Sequence, residues 1–166
     1  MIIKLSSGLY SRQALLFVLA LEFALIGGCA SLGTATPDER SMRAVISTPH
    51  APAAKGSYSQ AIGYGDLLFI SGQVPLDPRT GQWIVGDIEV QTRAVMEHIK
   101  AILSANGMTM NNVLSTNVYL KDFADFAKMN AVYAGYFKEV APPARATVPA
   151  PLAGTMLIEI SAVAGR

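Results

Sequence analysis

The sequence predicts an α+β layer sandwich, in which a mixed β-sheet carries two helices on one face. Strand and helix patterns alternate along the folded part in the order ββ(β)αβαββ, and two segments have clear helical periodicity. Apolar residues make up 51% of the 166 residues and charged residues 15%. This composition favours one folded domain with a sizeable core and excludes disorder caused by low hydrophobicity.

The first part of the domain is predicted to consist of strands. Arg43–Ser47 is a short β-branched run, and it is followed by Pro49, which ends it. Tyr58–Tyr64 and Leu67–Val74 are strand-like runs separated by a glycine-containing turn, so they predict a hairpin. Pro75–Gly81 is rich in turn residues and predicts an exposed loop.

The middle of the domain predicts a helix followed by a strand. Asp87 is placed to cap a helix that runs to about Asn106, because apolar residues recur at helical spacing between them. Gly107 then favours the end of the helix. The alternation within Val113–Leu120 predicts a strand that lies over a helical layer.

The last part of the domain predicts a second helix and two strands. The helix begins at Asp122 or Asp125 and continues to about Val140, with an aromatic stripe on one side. Arg145–Val148 and Met156–Val163 are the predicted strands. Apolar residues on both faces of these strands predict that the open face of the sheet associates with other subunits.

Residues 1–28 have the pattern of a secretory signal peptide. Lys4 and Arg12 precede an apolar stretch, and small residues follow it. The stretch is shorter than the roughly 20 apolar residues that a transmembrane helix requires. We therefore expect export rather than a membrane span.

The end of this segment, Ile26-Gly27-Gly28-Cys29, resembles a bacterial lipobox, which predicts acylation of Cys29 and a lipid-anchored location in the cell envelope or periplasm. Residues 29–43 are small and polar and predict a flexible tether to a domain at 44–166. Two alternatives stay open. Instead of being lipid-anchored, the protein could be secreted in soluble form, or it could be cytoplasmic if the start codon is misassigned.

The charge balance argues against binding to nucleic acid. The chain has 13 basic and 12 acidic residues, and 11 of each remain once residues 1–28 are removed. No basic block is present that would neutralise a row of phosphates. One cysteine and two histidines also make a metal centre unexpected.

Two charged residues stand in segments that otherwise read as buried strands: Arg145 within Ala144–Val148, and Glu159 within Leu157–Ile160. A buried charge requires a partner. One interpretation is a structural ion pair between Arg145 and Glu159 across adjacent antiparallel strands. The other gives them separate roles, with Arg145 binding a substrate carboxylate and Glu159 positioning a water molecule.

Other polar residues have a structural and a functional interpretation. Asn130 is either a surface amide or a donor in a pocket, and Ser71-Gly72 is either a plain strand end or a hydroxyl beside an exposed backbone N–H. His98 is expected to be a partly exposed structural residue, and His50 a loop residue. No Ser/His/Asp arrangement emerges from the pattern.

Six ordered segments carry a resemblance to a known family. From about Ala44 to Gly165 the chain resembles the RidA (YjgF) family of reactive-intermediate deaminases. The matching segments are His50–Ala61, Ile70–Pro78, Val118–Asp122, Met129–Tyr133, Pro143–Ala146 and Ile158–Ala164.

The resemblance implies a chorismate-mutase-like fold that assembles as a homotrimer, with three clefts between subunits. It also implies hydrolysis of enamine and imine intermediates, such as 2-aminoacrylate and 2-iminobutanoate, to 2-oxo acids and ammonia without a cofactor. The partners it implies are a small imino or oxo acid and other copies of the chain. Contact with a membrane would come only through the lipid anchor.

The resemblance also implies roles for particular residues. Glu159 corresponds to the family's water-positioning catalytic residue, and Arg145 to its substrate-clamping arginine. Further substrate-binding positions correspond to Tyr58, Ser71, Gly72 and Asn130.

The chain departs from the family in two places. Thr147 stands where many members carry a cysteine, which makes it a further pocket candidate, and the turn at Ala150–Gly154 is one residue shorter. These departures bear on substrate identity. The alternative function is a non-catalytic envelope protein that binds small carboxylates or acts as a holdase on the same fold. A ribonuclease activity is disfavoured by the near-neutral charge.

Overall fold

The structure is a computed structural model that describes residues 42–166. The predicted signal peptide at 1–28, the predicted acylation of Cys29 and most of the predicted tether lie outside the described residues. They stay predictions.

A six-stranded mixed sheet forms one layer of the domain. In spatial order its strands run β1-β2-β3-β6-β4-β5, and each neighbouring pair is antiparallel except the parallel pair β4–β5. The strands are β1 (Ala44–Ile46), β2 (Ala61–Tyr64), β3 (Leu67–Gln73), β4 (Val113–Leu120), β5 (Ala144–Pro149) and β6 (Ile158–Gly165). The predicted hairpin is confirmed as β2–β3, and Gly65 supplies the positive φ of +61° that its turn requires.

Two helices form the second layer, as the sequence predicted. The first, α1 (Ile88–Ala105), begins at Asp87, whose Oδ1 accepts a hydrogen bond from Val90 N at 2.9 Å. Gly107 follows its end with a φ of +66°. Both boundaries agree with the prediction.

The second helix is shorter than predicted. Asp122 caps a 3₁₀ turn (Phe123–Asp125), α2 proper covers Phe126–Ala134, and another 3₁₀ turn (Gly135–Phe137) follows. The prediction of one helix to about Val140 is therefore wrong. Glycine has a low helix propensity, and the α-helical pattern ends where Gly135 follows Ala134.

The core lies between the sheet and the helices. Side chains of β6 alternate between buried Ile158, Ile160 and Ala162 and the partly exposed residues between them. Here the buried side of the sheet is called the helix face and the other side the open face. The prediction of two helices on one face is confirmed.

The open face carries a row of apolar side chains across four strands. Val45, Ile62, Phe69 and Val163 are consecutive partners in the strand registers, and Val45 and Phe69 are exposed. Leu114 is exposed as well, and a Cβ built on Gly165 would lie 3.0 Å from its side chain. An exposed apolar row of this kind is typical of a surface that other subunits cover.

His98 is more buried than the sequence predicted, with only 5% of its surface exposed. It lies on α1 beside the carbonyl group of Val74, and its Nδ1 has no hydrogen-bond partner among the described residues. Burial lowers the pKa of the imidazole below its usual value. Within residues 42–166, no helix combines the length and apolarity needed to cross a membrane.

Candidate functional site

Arg145 lies on β5 opposite Thr116 of β4, so its side chain is on the helix face. Its guanidinium carbon is 4.6 Å from the ring centroid of Tyr133 and 5.6 Å from that of Phe126, both on α2. These distances are those of cation–π contacts. The guanidinium therefore lies on a pair of aromatic rings, and no carboxylate within residues 42–166 forms an ion pair with it.

Tyr133 is itself fixed by packing and by a hydrogen bond. Its side chain is only 3% exposed, and its hydroxyl lies 2.7 Å from Thr116 Oγ1. Burial raises the pKa of Tyr133 above its usual value, although the Thr116 hydroxyl and the Arg145 charge oppose this shift. The ring thus remains a neutral, rigid support for the guanidinium.

Arg145 faces a cavity of about 430 Å³ at the edge of the helical layer. Asn130 lines the same cavity, together with Tyr133, Phe137 and Pro143. The structure therefore brings together two of the residues predicted from the sequence. Arg145, Asn130 and Tyr133 are called the Arg145 cluster below.

Glu159 lies on the open face of β6, opposite Tyr119 of β4. Its carboxylate passes directly over Gly72, because a Cβ built on Gly72 would lie 2.8 Å from Glu159 Cδ. Real Cβ atoms do not approach this closely, so any side chain at position 72 would force the Glu159 carboxylate to move. Gly72 stands in an irregular segment of β3 between Ile70 and Gln73, where the register with β6 shifts.

The Glu159 carboxylate has no hydrogen-bond donor among the described residues, and burial raises its pKa above the usual value. Ser71 is next to Gly72, and its Oγ donates to Ser59 O at 2.6 Å. The Ser71 hydroxyl therefore already donates its proton within the fold, and it can act toward a ligand only as a hydrogen-bond acceptor. Glu159, Gly72 and Ser71 are called the Glu159 cluster below.

Tyr58 is linked to the Glu159 cluster through the chain. It precedes Ser59, whose carbonyl accepts the Ser71 hydrogen bond, and its own hydroxyl accepts from Lys55 N at 3.3 Å. The Tyr58 side chain is 55% exposed. It is available to a ligand or to a neighbouring molecule.

The predicted ion pair between Arg145 and Glu159 is wrong. Their strands are not adjacent, because β4 lies between β5 and β6. The two side chains also lie on opposite faces of the sheet, since Arg145 is opposite buried Thr116 and Glu159 is opposite Tyr119. Within one chain the predicted site residues therefore form two separate clusters.

Thr147 follows Arg145 by two residues, so it is on the same face of β5. Its Oγ1 is buried and has no hydrogen-bond partner among the described residues. The sequence interpretation missed the support of Arg145 by Phe126 and Tyr133, which it assigned to a helix stripe. Their seven-residue spacing, which places both on one side of a helix, was the available signal.

The two clusters indicate their chemistry. A planar guanidinium held without a carboxylate partner suits a small carboxylic acid, which it can bind through two parallel hydrogen bonds. A partly desolvated carboxylate without a donor suits acceptance of a proton. Residues 42–166 contain no group of three or more His, Cys, Asp or Glu side chains that would hold a metal ion. Fold and clusters together define a small α+β protein suited to binding small carboxylates.

Comparison with known proteins assigns the family. The family model described as Endoribonuclease L-PSP matches residues 48–165. A RutC family protein from Pyrococcus horikoshii is 54% identical over 123 residues, which cover 74% of this chain and 98% of that protein. The 2-iminobutanoate/2-iminopropanoate deaminase of Salmonella typhimurium is 41% identical over 128 residues, covering 75% and 99% of the two chains.

A solved structure of similar fold is that of YyfA, a conserved Rid family protein of Yersinia pestis. It has a TM-score of 0.73 and 40% identity, and the alignment covers 75% of this chain and all of that one. The chain therefore belongs to the RidA/YjgF family, as the resemblance in its sequence implied.

Proposed function

We propose that the protein hydrolyses imino acids of the 2-aminoacrylate and 2-iminobutanoate class to 2-oxo acids and ammonia. The observation that carries the proposal is the Arg145 guanidinium, which lies on two aromatic rings beside a cavity and has no carboxylate partner within residues 42–166. The Salmonella relative, at 41% identity, supports the choice of reaction.

The active site in this proposal is shared between two subunits of a homotrimer. The Arg145 and Glu159 clusters lie on opposite faces of one sheet, so one chain cannot place both beside the same small molecule. The exposed apolar row on the open face supports association through that face. A neighbouring subunit would then bring its Arg145 cluster to the Glu159 cluster of the first.

Arg145 acts first by binding the substrate carboxylate through two parallel hydrogen bonds, while Asn130 offers an amide at the same cavity. This contact holds the C=N carbon in one place. An enamine substrate reacts after it gains a proton at carbon and loses one from nitrogen, which converts it to the imine. Ser71 Oγ and the backbone of Gly72 form part of the opposite wall, beside Tyr58, and Thr147 is a further pocket candidate.

Glu159 then orients a water molecule and accepts one of its protons. The water oxygen bonds to the imine carbon, and Glu159 passes the proton it accepted to the nitrogen, where the C=N electron pair forms the new N–H bond of a carbinolamine. Glu159 then accepts the carbinol O–H proton as the carbonyl of the 2-oxo acid forms, and gives this proton to the nitrogen as the C–N bond breaks and ammonia leaves. Water and imino acid are thus converted to oxo acid and ammonia, with no net proton consumed by the neutral reaction.

The test supplies freshly generated 2-iminobutanoate to the purified protein and follows release of ammonia and oxo acid above the uncatalysed rate. Arg145→Ala should lose about 2–4 kcal/mol of transition-state stabilisation, which is roughly 30- to 1000-fold in kcat/KM. Its melting temperature should stay near that of the wild type, because the arginine has no ion-pair partner within residues 42–166.

Arg93→Ala is the matched control, because Arg93 is exposed on α1 and its side chain has no described hydrogen bond. Its activity should equal that of the wild type. Full activity in Arg145→Ala would contradict the proposed clamp. Saturable binding of 2-oxobutanoate without any imine hydrolysis would favour the alternative of a non-catalytic carboxylate-binding protein.

A mixing experiment tests the shared site. Arg145→Ala and Glu159→Gln are each expected to be nearly inactive, but a mixture refolded together would contain interfaces with an intact Arg145 cluster from one chain and an intact Glu159 cluster from the other. Recovery of activity in the mixture is expected. A mixture as inactive as its components, in trimers shown to contain both chains, would place each site within one subunit.

We also propose that the protein is anchored to the cell envelope through a lipid on Cys29. The lipobox pattern at Ile26–Cys29 supports this location. Labelled palmitate should enter the full chain expressed in a bacterium and should not enter Cys29→Ala. Absence of label in the wild-type chain would contradict the anchor and leave soluble secretion or a cytoplasmic protein.

A further inference from the structure

A second cavity, of about 340 Å³, adjoins Tyr58 and has mainly apolar walls. The cavity is called the Trp83 slot below. Six of the residues that line it are Pro52, Ala53, Tyr58, Val74, Leu76 and Trp83. The Trp83 side chain is 41% exposed, so a large aromatic surface is available to a ligand.

Trp83 is held in place by a hydrogen-bonded loop. It forms an antiparallel bridge with Leu76, and Ile84 N donates to Pro75 O at 2.8 Å. The tip of the loop is closed at Gly81, where φ is +70°. A side chain on such a braced loop can define the shape of a pocket, because its backbone is fixed before a ligand arrives.

The Trp83 slot and the Glu159 cluster are close along the chain at two points. Val74, one of its walls, follows Gly72 by two residues, a distance of about 7 Å in extended chain. Tyr58, another wall, precedes Ser59, which accepts the hydrogen bond from Ser71. The slot therefore lies near the point where the Glu159 carboxylate crosses Gly72.

We propose that the Trp83 slot receives the side chain of the imino acid and that Trp83 determines specificity for branched or aromatic apolar side chains. This inference rests on the proposed function, in which the C=N carbon lies beside Glu159. From that carbon, the substrate side chain can enter the slot while the carboxylate is held by Arg145 of a neighbouring subunit. A methyl group would leave most of a cavity of about 340 Å³ unfilled.

Lys55 is the charged residue that lines the slot, and it would favour a different ligand, a substrate with an acidic side chain. Its Nζ would be 3.3 Å from a Cβ built on Gly81, so the ammonium lies against the loop that carries Trp83. An acidic substrate side chain would pair with this ammonium. Most of the residues that line the slot are apolar and only one is charged, so the slot favours an apolar substrate side chain.

The experiment measures kcat/KM for imines generated from alanine, leucine, phenylalanine and aspartate. The wild type should prefer the leucine- or phenylalanine-derived imine to the alanine-derived imine by at least about tenfold, since even one methylene in an apolar pocket has an effect of this order. Trp83→Ala should lower kcat/KM for the bulky imines by about tenfold and leave the alanine-derived imine unchanged. Trp83→Phe should retain most of the preference.

Val85→Ala is the control, because Val85 is exposed on the same segment and does not line the slot. Equal substrate ratios in the wild type, Trp83→Ala and Trp83→Phe would overturn the inference while imine hydrolysis stands. A preference for the aspartate-derived imine would overturn it in favour of Lys55. Failure of the wild type to hydrolyse any of the four imines would overturn the proposed function, and this inference with it.

Discussion

The Arg145 cluster and the Glu159 cluster place opposite charges by different means. Arg145 is positioned by what surrounds it, because two rings of α2 pack against its guanidinium. Glu159 is positioned by the absence of a side chain, because its carboxylate occupies the space above Gly72. The cation is therefore supported by aromatic packing between layers, whereas the anion depends on one glycine in the neighbouring strand.

The environments of the two charges differ as well. The guanidinium keeps its charge in any surroundings, so aromatic faces can support it. Burial partly desolvates the carboxylate, which favours its protonated form and raises its pKa, and none of residues 42–166 donates a hydrogen bond to it. The difference suits a binding role for Arg145 and a proton-transfer role for Glu159.

Glu159→Gln should give the largest effect. Glutamine keeps the shape of the side chain and cannot accept a proton, so kcat should fall by about 10²- to 10⁴-fold, the range of general base catalysis. KM should change little, because the carboxylate of the substrate is held elsewhere. Steady-state kinetics with 2-iminobutanoate would measure this split, and an unchanged kcat would remove Glu159 from the mechanism.

Gly72→Ala should have the next largest effect on imine hydrolysis. The added methyl group would occupy the position of the Glu159 carboxylate and displace it. We expect kcat to fall by at least about tenfold, since a shift of about 1 Å at a reacting group has effects of this order or greater. Gly135→Ala is the control, since a Cβ at Gly135 meets nothing within 4 Å. Wild-type kinetics in Gly72→Ala would show that the carboxylate does not need its observed position.

The pH dependence should report Glu159 rather than Arg145. Only deprotonated Glu159 can accept a proton, so kcat/KM should fall as the pH falls through its pKa. Because burial raises that pKa above the usual 4.5, the acid limb should lie at a higher pH than an exposed glutamate would give. A profile that is flat down to pH 4.5 would contradict this role.

Tyr133→Phe should have the smallest effect on hydrolysis and a measurable effect on stability. The ring under Arg145 remains, and so does its cation–π contact with the guanidinium. We therefore expect kcat/KM to change by less than about threefold. The Thr116 hydroxyl would lose its partner in the core, which should lower the free energy of unfolding by about 1–3 kcal/mol.

The double variant Thr116→Val/Tyr133→Phe is the control for this interpretation. Replacing both polar groups leaves none unpaired, so denaturant unfolding should show much of the lost stability restored. An equal or larger loss in the double variant would mean that packing, and not the hydrogen bond, holds the ring.

Most of the local structure was predictable because its signals are local. Asp87 and Gly107 bound α1 as their capping chemistry predicted, and the alternation in Val113–Leu120 matched β4. The second helix was less predictable, since Gly135 shortens it within an otherwise helical pattern. His98 was misjudged because a helical pattern alone does not show that the chain after β3 covers that side of α1.

By itself, the sequence determined the layered fold class, its elements and the residue types available for chemistry, because periodicity, caps and turns act over a few neighbouring residues. Only the tertiary structure decided that β4 separates Arg145 from Glu159, that aromatic rings support the one, and that Gly72 makes room for the other. Strand order and register arise from contacts between residues far apart in the chain. A pattern read along the chain does not contain them.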